Sequence, residues 1–233
     1  MNKEWLNQVA WIGEQYVRGQ IRGVVLSFPY LGAGRKTEPT TEELEWAQAG
    51  GLVVFPYYGP WSWMNRQARA FVDEVVDSVF AIYRLPAQTP IIATGGSMGG
   101  LSSLLHARYA RRPIVACHAR SPVCDLKFHF NERPDLPMTI RQAFLGYPED
   151  LDTLLAEHSP IHQLDHMPRI PYLIIHGDVD PSVSKSAHSD PMVAAMRERK
   201  MNVKYVEVPG MGHGTPMPLA VMEEQIRFVT SLL

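Results

Sequence analysis

The chain has 233 residues, 45% of them hydrophobic and 20% charged, and a formal net charge of -2. Its length and apolar share suffice for one sizeable core, and near-neutrality without a basic block gives no electrostatic reason to expect nucleic acid or an anionic membrane as partner. No apolar run approaches the roughly 18 residues that span a bilayer.

In chain order, Trp5, Val9, Ile12 and Tyr16 recur at helical spacing, which predicts an amphipathic helix over residues 1–18. A strand is expected at 24–28, a helix at 41–49 with Thr40 or Thr41 as its cap, and a strand at 52–55. Apolar residues at 71, 72, 75, 76, 79, 82 and 83 predict a long helix over 66–84. Further strands are expected at 90–93, 114–116, 172–175 and 203–208. Helices should begin near Ser97, run near 191–200 and close the chain near 218–232. Short apolar strands alternating with longer helices predict an α/β fold, one domain over 1–233, with about six mostly parallel strands covered on both faces. Residues 121–152, which hold Pro122, Pro134, Pro137 and Pro148, break that rhythm; they should form a lid or a set of short helices over a site.

The N-terminal residues lack the apolar core and cleavage site of a secretory leader, so a cytoplasmic location is expected unless the chain is trimmed. Cys117 and Cys124 are the only cysteines; two thiols make no disulfide framework and fit a reducing compartment.

Gly95-x-Ser97-x-Gly99 falls between an expected strand and an expected helix, the context of a nucleophile elbow. A sharp strand-to-helix turn strains its central residue and tolerates only small neighbours, so Ser97 would be presented at an exposed tip. The helix starting there would direct free N–H groups toward developing negative charge. A phosphate loop is disfavoured because no lysine follows the glycines.

A serine hydroxyl needs a base, and the base needs an acid to hold its tautomer. Asp180 follows the 172–175 strand, and His213 follows the 203–208 strand in a glycine-rich loop, in the order serine, acid, histidine. Asp178 and Asp125 are rival acids, and His176 reads as a packed or hydrogen-bonding histidine. His158, His162 and His166 recur every four residues, but Pro160 interrupts them and no carboxylate completes a metal geometry. No metal and no organic cofactor is expected.

The pieces G-G-S-M-G-G, P-Y-L-I-I-H-G-D-V-D-P-S-V and G-M-G-H-G together resemble the α/β-hydrolase superfamily, and more narrowly small prolyl-oligopeptidase-like serine hydrolases and esterases. The resemblance implies a triad of Ser97, Asp180 and His213. It also implies an oxyanion hole from the backbone N–H of Met98 and a second donor in the loop after the first strand. Pro29 has no N–H, and Tyr30 occupies the place of the second glycine in the esterases' H-G-G pattern, so Tyr30 is the expected donor. The usual first strands of the superfamily are not visible, a helix-like segment occupying residues 1–18, and the propeller of prolyl oligopeptidases is not expected. The expected activity is therefore that of a carboxylesterase acting on small to medium acyl esters. A small peptidase or amidase, or a non-catalytic binding module, is the alternative.

The loop 56–65 carries Tyr57, Tyr58, Trp61 and Trp63. Such aromatics either pack under a lid or line a substrate pocket, and Tyr58 and Trp61 are expected to touch substrate. The expected partner is a small-molecule ester, with homodimer formation left open.

Overall fold

A computed structural model describes residues 2–233. Seven strands form one sheet: β1 (Ala10–Ile12), β2 (Gly23–Phe28), β3 (Gly51–Pro56), β4 (Ile91–Gly96), β5 (Ala116–Arg120), β6 (Tyr172–Gly177) and β7 (Val203–Val208). Their order is β1-β3-β2-β4-β5-β6-β7, with β1 antiparallel to β3 and every other pair parallel. The helices are α1 (Lys3–Val9), α2 (Thr41–Gln48), α3 (Arg66–Ile82), α4 (Met98–Tyr109), α5 (Leu126–His129), α6 (Leu136–Ala143), α7 (Leu151–Glu157), α8 (Ser189–Glu198) and α9 (Leu219–Thr230). Among the described residues, no helix is long and apolar enough to cross a membrane.

Strand alternation sorts the core into two layers, because successive side chains point to opposite faces. Val24, Leu26, Ile91, Ala93, Cys117 and Ile174 join α3, α4 and α8 on one face. Val25, Val53, Ile92 and Ala116 pack with Trp46 and Ala47 of α2 and Val229 of α9 on the other. Helix α4 is buried over nearly its whole length, from Met98 to Ala107, so it shows no amphipathic stripe. Fully burying Leu101, Leu104 or Leu105 contributes about 1.5–3 kcal/mol each. Helix α2 begins with a capping box: Thr40 Oγ1 accepts from Glu43 N–H while the Glu43 carboxylate accepts from Thr40 N–H.

Three expectations need correction. The 1–18 segment is not one helix. It breaks after Val9, and Ala10–Ile12 turns extended to pair with β3 (Ala10↔Pro56, Ile12↔Val54). Leu6, not Trp5, is the buried face of α1, and Trp5 is exposed. Pairing covers an otherwise bare edge of β3, a tertiary demand that helical spacing does not report. Among the described residues the sheet accordingly has seven strands, where about six are expected. The fifth strand lies C-terminal to its expected place, at 116–120, because register with β4 (Ile92↔Ala116, Gly96↔Arg120) carries it into the polar residues His118 and Arg120. Residues 121–152 form short helices, with Trp63 Nε1–H donating to Thr139 Oγ1 (3.2 Å) and Asn65 Nδ2–H to the Ala143 carbonyl (2.7 Å).

The chain visits β3 on one side of β2 and then β4 on the other. The sequence of strands thus reverses between β2 and β4, and open α/β sheets leave a ligand crevice at the carboxyl ends of such a pair.

Candidate active site

Ser97 stands at that crevice, between β4 and α4, with φ 58° and ψ -125°. A non-glycine residue there carries strain of order 1–3 kcal/mol and persists only where its surroundings over-determine it. Here they do. Ser97 N–H donates to the Arg120 carbonyl (2.9 Å), and its own carbonyl accepts from Leu101 N–H (3.1 Å). A Cβ on Gly95 would fall on the Gly99 carbonyl, and one on Gly99 would fall on the Phe28 carbonyl. Gly100 serves packing, since its Cβ would come 2.9 Å from Pro122.

The close approach of Gly99 to Phe28 seats the first turn of α4 on the loop that leaves β2. Met98 is the first residue of that helix, so its N–H has no intrahelical acceptor. Tyr30 follows two residues after β2, is 61% exposed, and lines the same cavity as Ser97.

The Asp180 carboxylate is buried, and its Oδ2 lies 2.7 Å from His213 Nδ1. Its Oδ1 accepts from the N–H groups of Ser182 (2.9 Å) and Val183 (3.0 Å). Burial opposes the charge. Hydrogen bonds from His176, His213 and the two backbone N–H groups outweigh it and hold Asp180 well below the usual carboxylate range. An ionised carboxylate only accepts, so His213 presents an Nδ1–H to Asp180. The His213 loop reaches Asp180 because it crosses directly over the end of β6, where a Cβ on Gly177 would fall on the Met211 carbonyl. Arg120 anchors the same loop, donating to the Thr215 carbonyl (2.9 Å).

Ser97 and His213 both line a cavity of about 530 Å³, with no direct hydrogen bond between them. The other expected residues fall elsewhere. Tyr58 is buried, its hydroxyl 2.9 Å from Ser102 Oγ and 3.3 Å from the Pro29 carbonyl, so it ties the loop after β2 to α4. Trp61 is half-exposed and packs over Gly32. Neither is among the residues lining the cavity that holds Ser97; both border a separate cavity with Asn65 and Gln142. Of the rival acids, Asp178 accepts from Gly210 N–H and Asp125 caps α5. His176 is fully buried between Ser189 Oγ (2.6 Å) and the Val183 carbonyl (3.0 Å). His158 is buried against Arg69, whereas His162 is exposed.

Sequence reasoning missed Arg120, His129 and Val183, which line the cavity with Trp63 of the 56–65 loop, and Glu132 and His188, which contact His129. The spacing of three between His129 and Glu132 was the available signal. His129, Glu132 and His188 bring one potential ligand atom each within 4.8 Å of one another, but they do not suit a metal. His188 Nδ1 accepts from the N–H groups of Cys124 and Asp125, both at 3.2 Å. Its proton is thereby confined to Nε2, the atom a metal would need bare.

A mostly parallel sheet with a strained serine at the switch between β2 and β4 defines an α/β-hydrolase fold. Solved structures agree. A puromycin-hydrolyzing peptidase of Mycobacterium tuberculosis superposes with a TM-score of 0.72 at 21% identity, over 93% of this chain and 35% of that one. An acylaminoacyl peptidase gives 0.71 at 13% (94% and 37%), and dipeptidyl peptidase 4 of Porphyromonas gingivalis 0.69 at 16% (96% and 33%). In sequence, dipeptidyl peptidase family member 6 of Caenorhabditis elegans is 28% identical over 174 residues, 68% of this chain and 22% of that protein. The prolyl oligopeptidase family matches residues 72–233, and the chain belongs to it. It spans about a fifth of that curated relative's length and about a third of these solved chains.

Proposed function

We propose that this chain is a serine hydrolase that cleaves peptide or amide bonds through an acyl-enzyme. The observation that carries the chemistry is the 2.7 Å contact between His213 Nδ1 and the buried Asp180 carboxylate, on a cavity shared with the strained Ser97. In this reading Ser97 Oγ attacks the carbonyl while His213 Nε2 takes its proton. The imidazolium that forms is stabilised by Asp180 and returns the proton to the leaving amine. The backbone N–H groups of Met98 and Tyr30 face the oxyanion. Water then attacks the acyl-enzyme with His213 again as base, releasing the acid and freeing Ser97.

Family membership favours an amide over the carboxylic ester expected from sequence, and the similar proteins named above are peptidases. An activated ester remains a useful probe, because its better leaving group relaxes the demand on the acid step. The test compares kcat/KM on aminoacyl-p-nitroanilides with that on p-nitrophenyl acetate, in the wild type and in Ser97→Ala. Anilide turnover that disappears in Ser97→Ala is expected. Ester turnover with no anilide cleavage would return the assignment to an esterase, and undiminished activity in Ser97→Ala would remove the mechanism.

A further inference from the structure

Glu132, between α5 and α6, carries a second, mostly buried carboxylate that the reaction above does not use. Its Oε2 lies 2.6 Å from His129 Nδ1 and 3.0 Å from His188 Nε2, and its Oε1 accepts from Ser184 N–H at 2.7 Å. Neither lysine nor arginine pairs with it among the described residues. Burial again opposes the charge, and again the donors outweigh it, holding Glu132 well below the usual carboxylate range. Both imidazoles must then present N–H to the carboxylate.

For His188 this agrees with its two backbone donors on Nδ1, and the ring is fully committed. His129 differs. Its Nδ1 is taken by Glu132, its ring is wedged edge-on against Trp63 and His188 (centroids 5.4 Å apart in each case), and burial pushes its pKa down, favouring the neutral form. The remaining nitrogen, Nε2, carries a lone pair and has no partner in the protein, while the residue lines the cavity that holds Ser97. Trp63, packed on the His129 ring, and Val183 line the same cavity. Arg133 also lines it, but its guanidinium is engaged by Asp135 at 2.6 and 3.0 Å. The cavity thus offers a fixed, neutral acceptor beside the Trp63 ring.

We propose that His129 is a specificity-determining residue, whose Nε2 accepts a hydrogen bond from a hydroxyl or carboxamide on the substrate side chain lodged against Trp63 and Val183. The inference rests on the cavity being the substrate site of the hydrolase proposed above. An apolar group there would leave the imidazole acceptor desolvated and unpaired, and sites built to bind a hydroxyl or N–H reject the analogue that lacks it far more strongly than an apolar pocket rejects an extra methylene.

The test uses size-matched aminoacyl substrates, threonine against valine, tyrosine against phenylalanine and glutamine against methionine, each as p-nitroanilide and p-nitrophenyl ester. The donor-bearing member should lead in kcat/KM by at least about tenfold in the pair that the pocket admits. In His129→Phe, which keeps a ring between Trp63 and His188, the members of that pair should converge to within about twofold, with folding checked by thermal melting. All pairs equal in the wild type, or a preference that survives His129→Phe, would overturn the proposal. Calorimetric binding of the corresponding aminoacyl amides to Ser97→Ala reads the same preference without turnover, and wild-type selectivity decides the matter should His129→Phe not fold. Inert anilides with active, discriminating esters would sink the peptidase reading and leave this one standing.

Discussion

Two imidazoles reach the same cavity, each held at Nδ1 by a carboxylate, and their surroundings set them apart. His213 rides on a glycine-rich loop above the sheet, its side chain 23% exposed, and shares the cavity with the elbow serine. His129 is 2% exposed and wedged between Trp63 and His188 on short helices beside the sheet. The carboxylates differ as well: Asp180 is fixed by the turn that follows β6, whereas Glu132 is solvated by three donors from two separate segments. The two proposed roles therefore rest on one chemical unit. An imidazole with room to exchange protons suits general-base chemistry, and one locked in a single tautomer suits recognition.

The largest expected effects break this pairing apart. Ser97→Ala should abolish turnover of anilides and esters alike, and Asp180→Asn should lower kcat by about 10,000-fold on every substrate. Glu132→Gln should instead act unevenly, changing kcat/KM by about tenfold for donor-bearing substrates and less for their apolar counterparts. Steady-state kinetics on the matched pairs separates the two patterns, and a uniform loss in Glu132→Gln would make the dyads equivalent.

Acid stability offers a second contrast with a definite sign. Both carboxylates have folded-state pKa values below their unfolded ones. Their stabilisation is thus fully present above the ordinary carboxylate range, near pH 4–5, and is lost as pH falls toward the folded values. The gap in urea-unfolding free energy between wild type and Asp180→Asn should be widest near pH 7 and narrow steadily below about pH 4. Glu132→Gln should do the same, and a gap that widened with acid would contradict ionised dyads.

Smaller effects probe what seats the elbow. Gly99→Ala drives a methyl into the Phe28 carbonyl and should cost about 1–3 kcal/mol by urea unfolding, with activity falling as Met98 and Tyr30 are pushed apart. Tyr58→Phe removes only the hydroxyl between Ser102 and Pro29 and should cost about 1 kcal/mol. A large kinetic effect with unchanged stability would return Tyr58 to the substrate's side.

Local pattern made much of this molecule legible. The elbow glycines, the Thr40 cap, the long α3 and the parallel strands each leave a short-range trace: small residues at a tight turn, an acceptor before a helix, apolar periods of 3.6 and 2. The same traces put Ser97, Asp180 and His213 in chain order. They failed where tertiary contact overrode local preference, as when Ala10–Ile12 left the helical pattern to cover β3 and β5 ran into polar residues that face a cavity.

An α/β chain with a serine elbow followed by an acid and a histidine can be read from local pattern, because those features depend on neighbours a few residues apart. Long-range contact set which acid meets His213, that Tyr58 belongs to the core, and that His129, Glu132 and His188 converge. Those outcomes depend on which side chains find a buried donor or acceptor across the fold. His188 lies 56 residues from Glu132 and 64 from Cys124, separations over which no periodicity carries information.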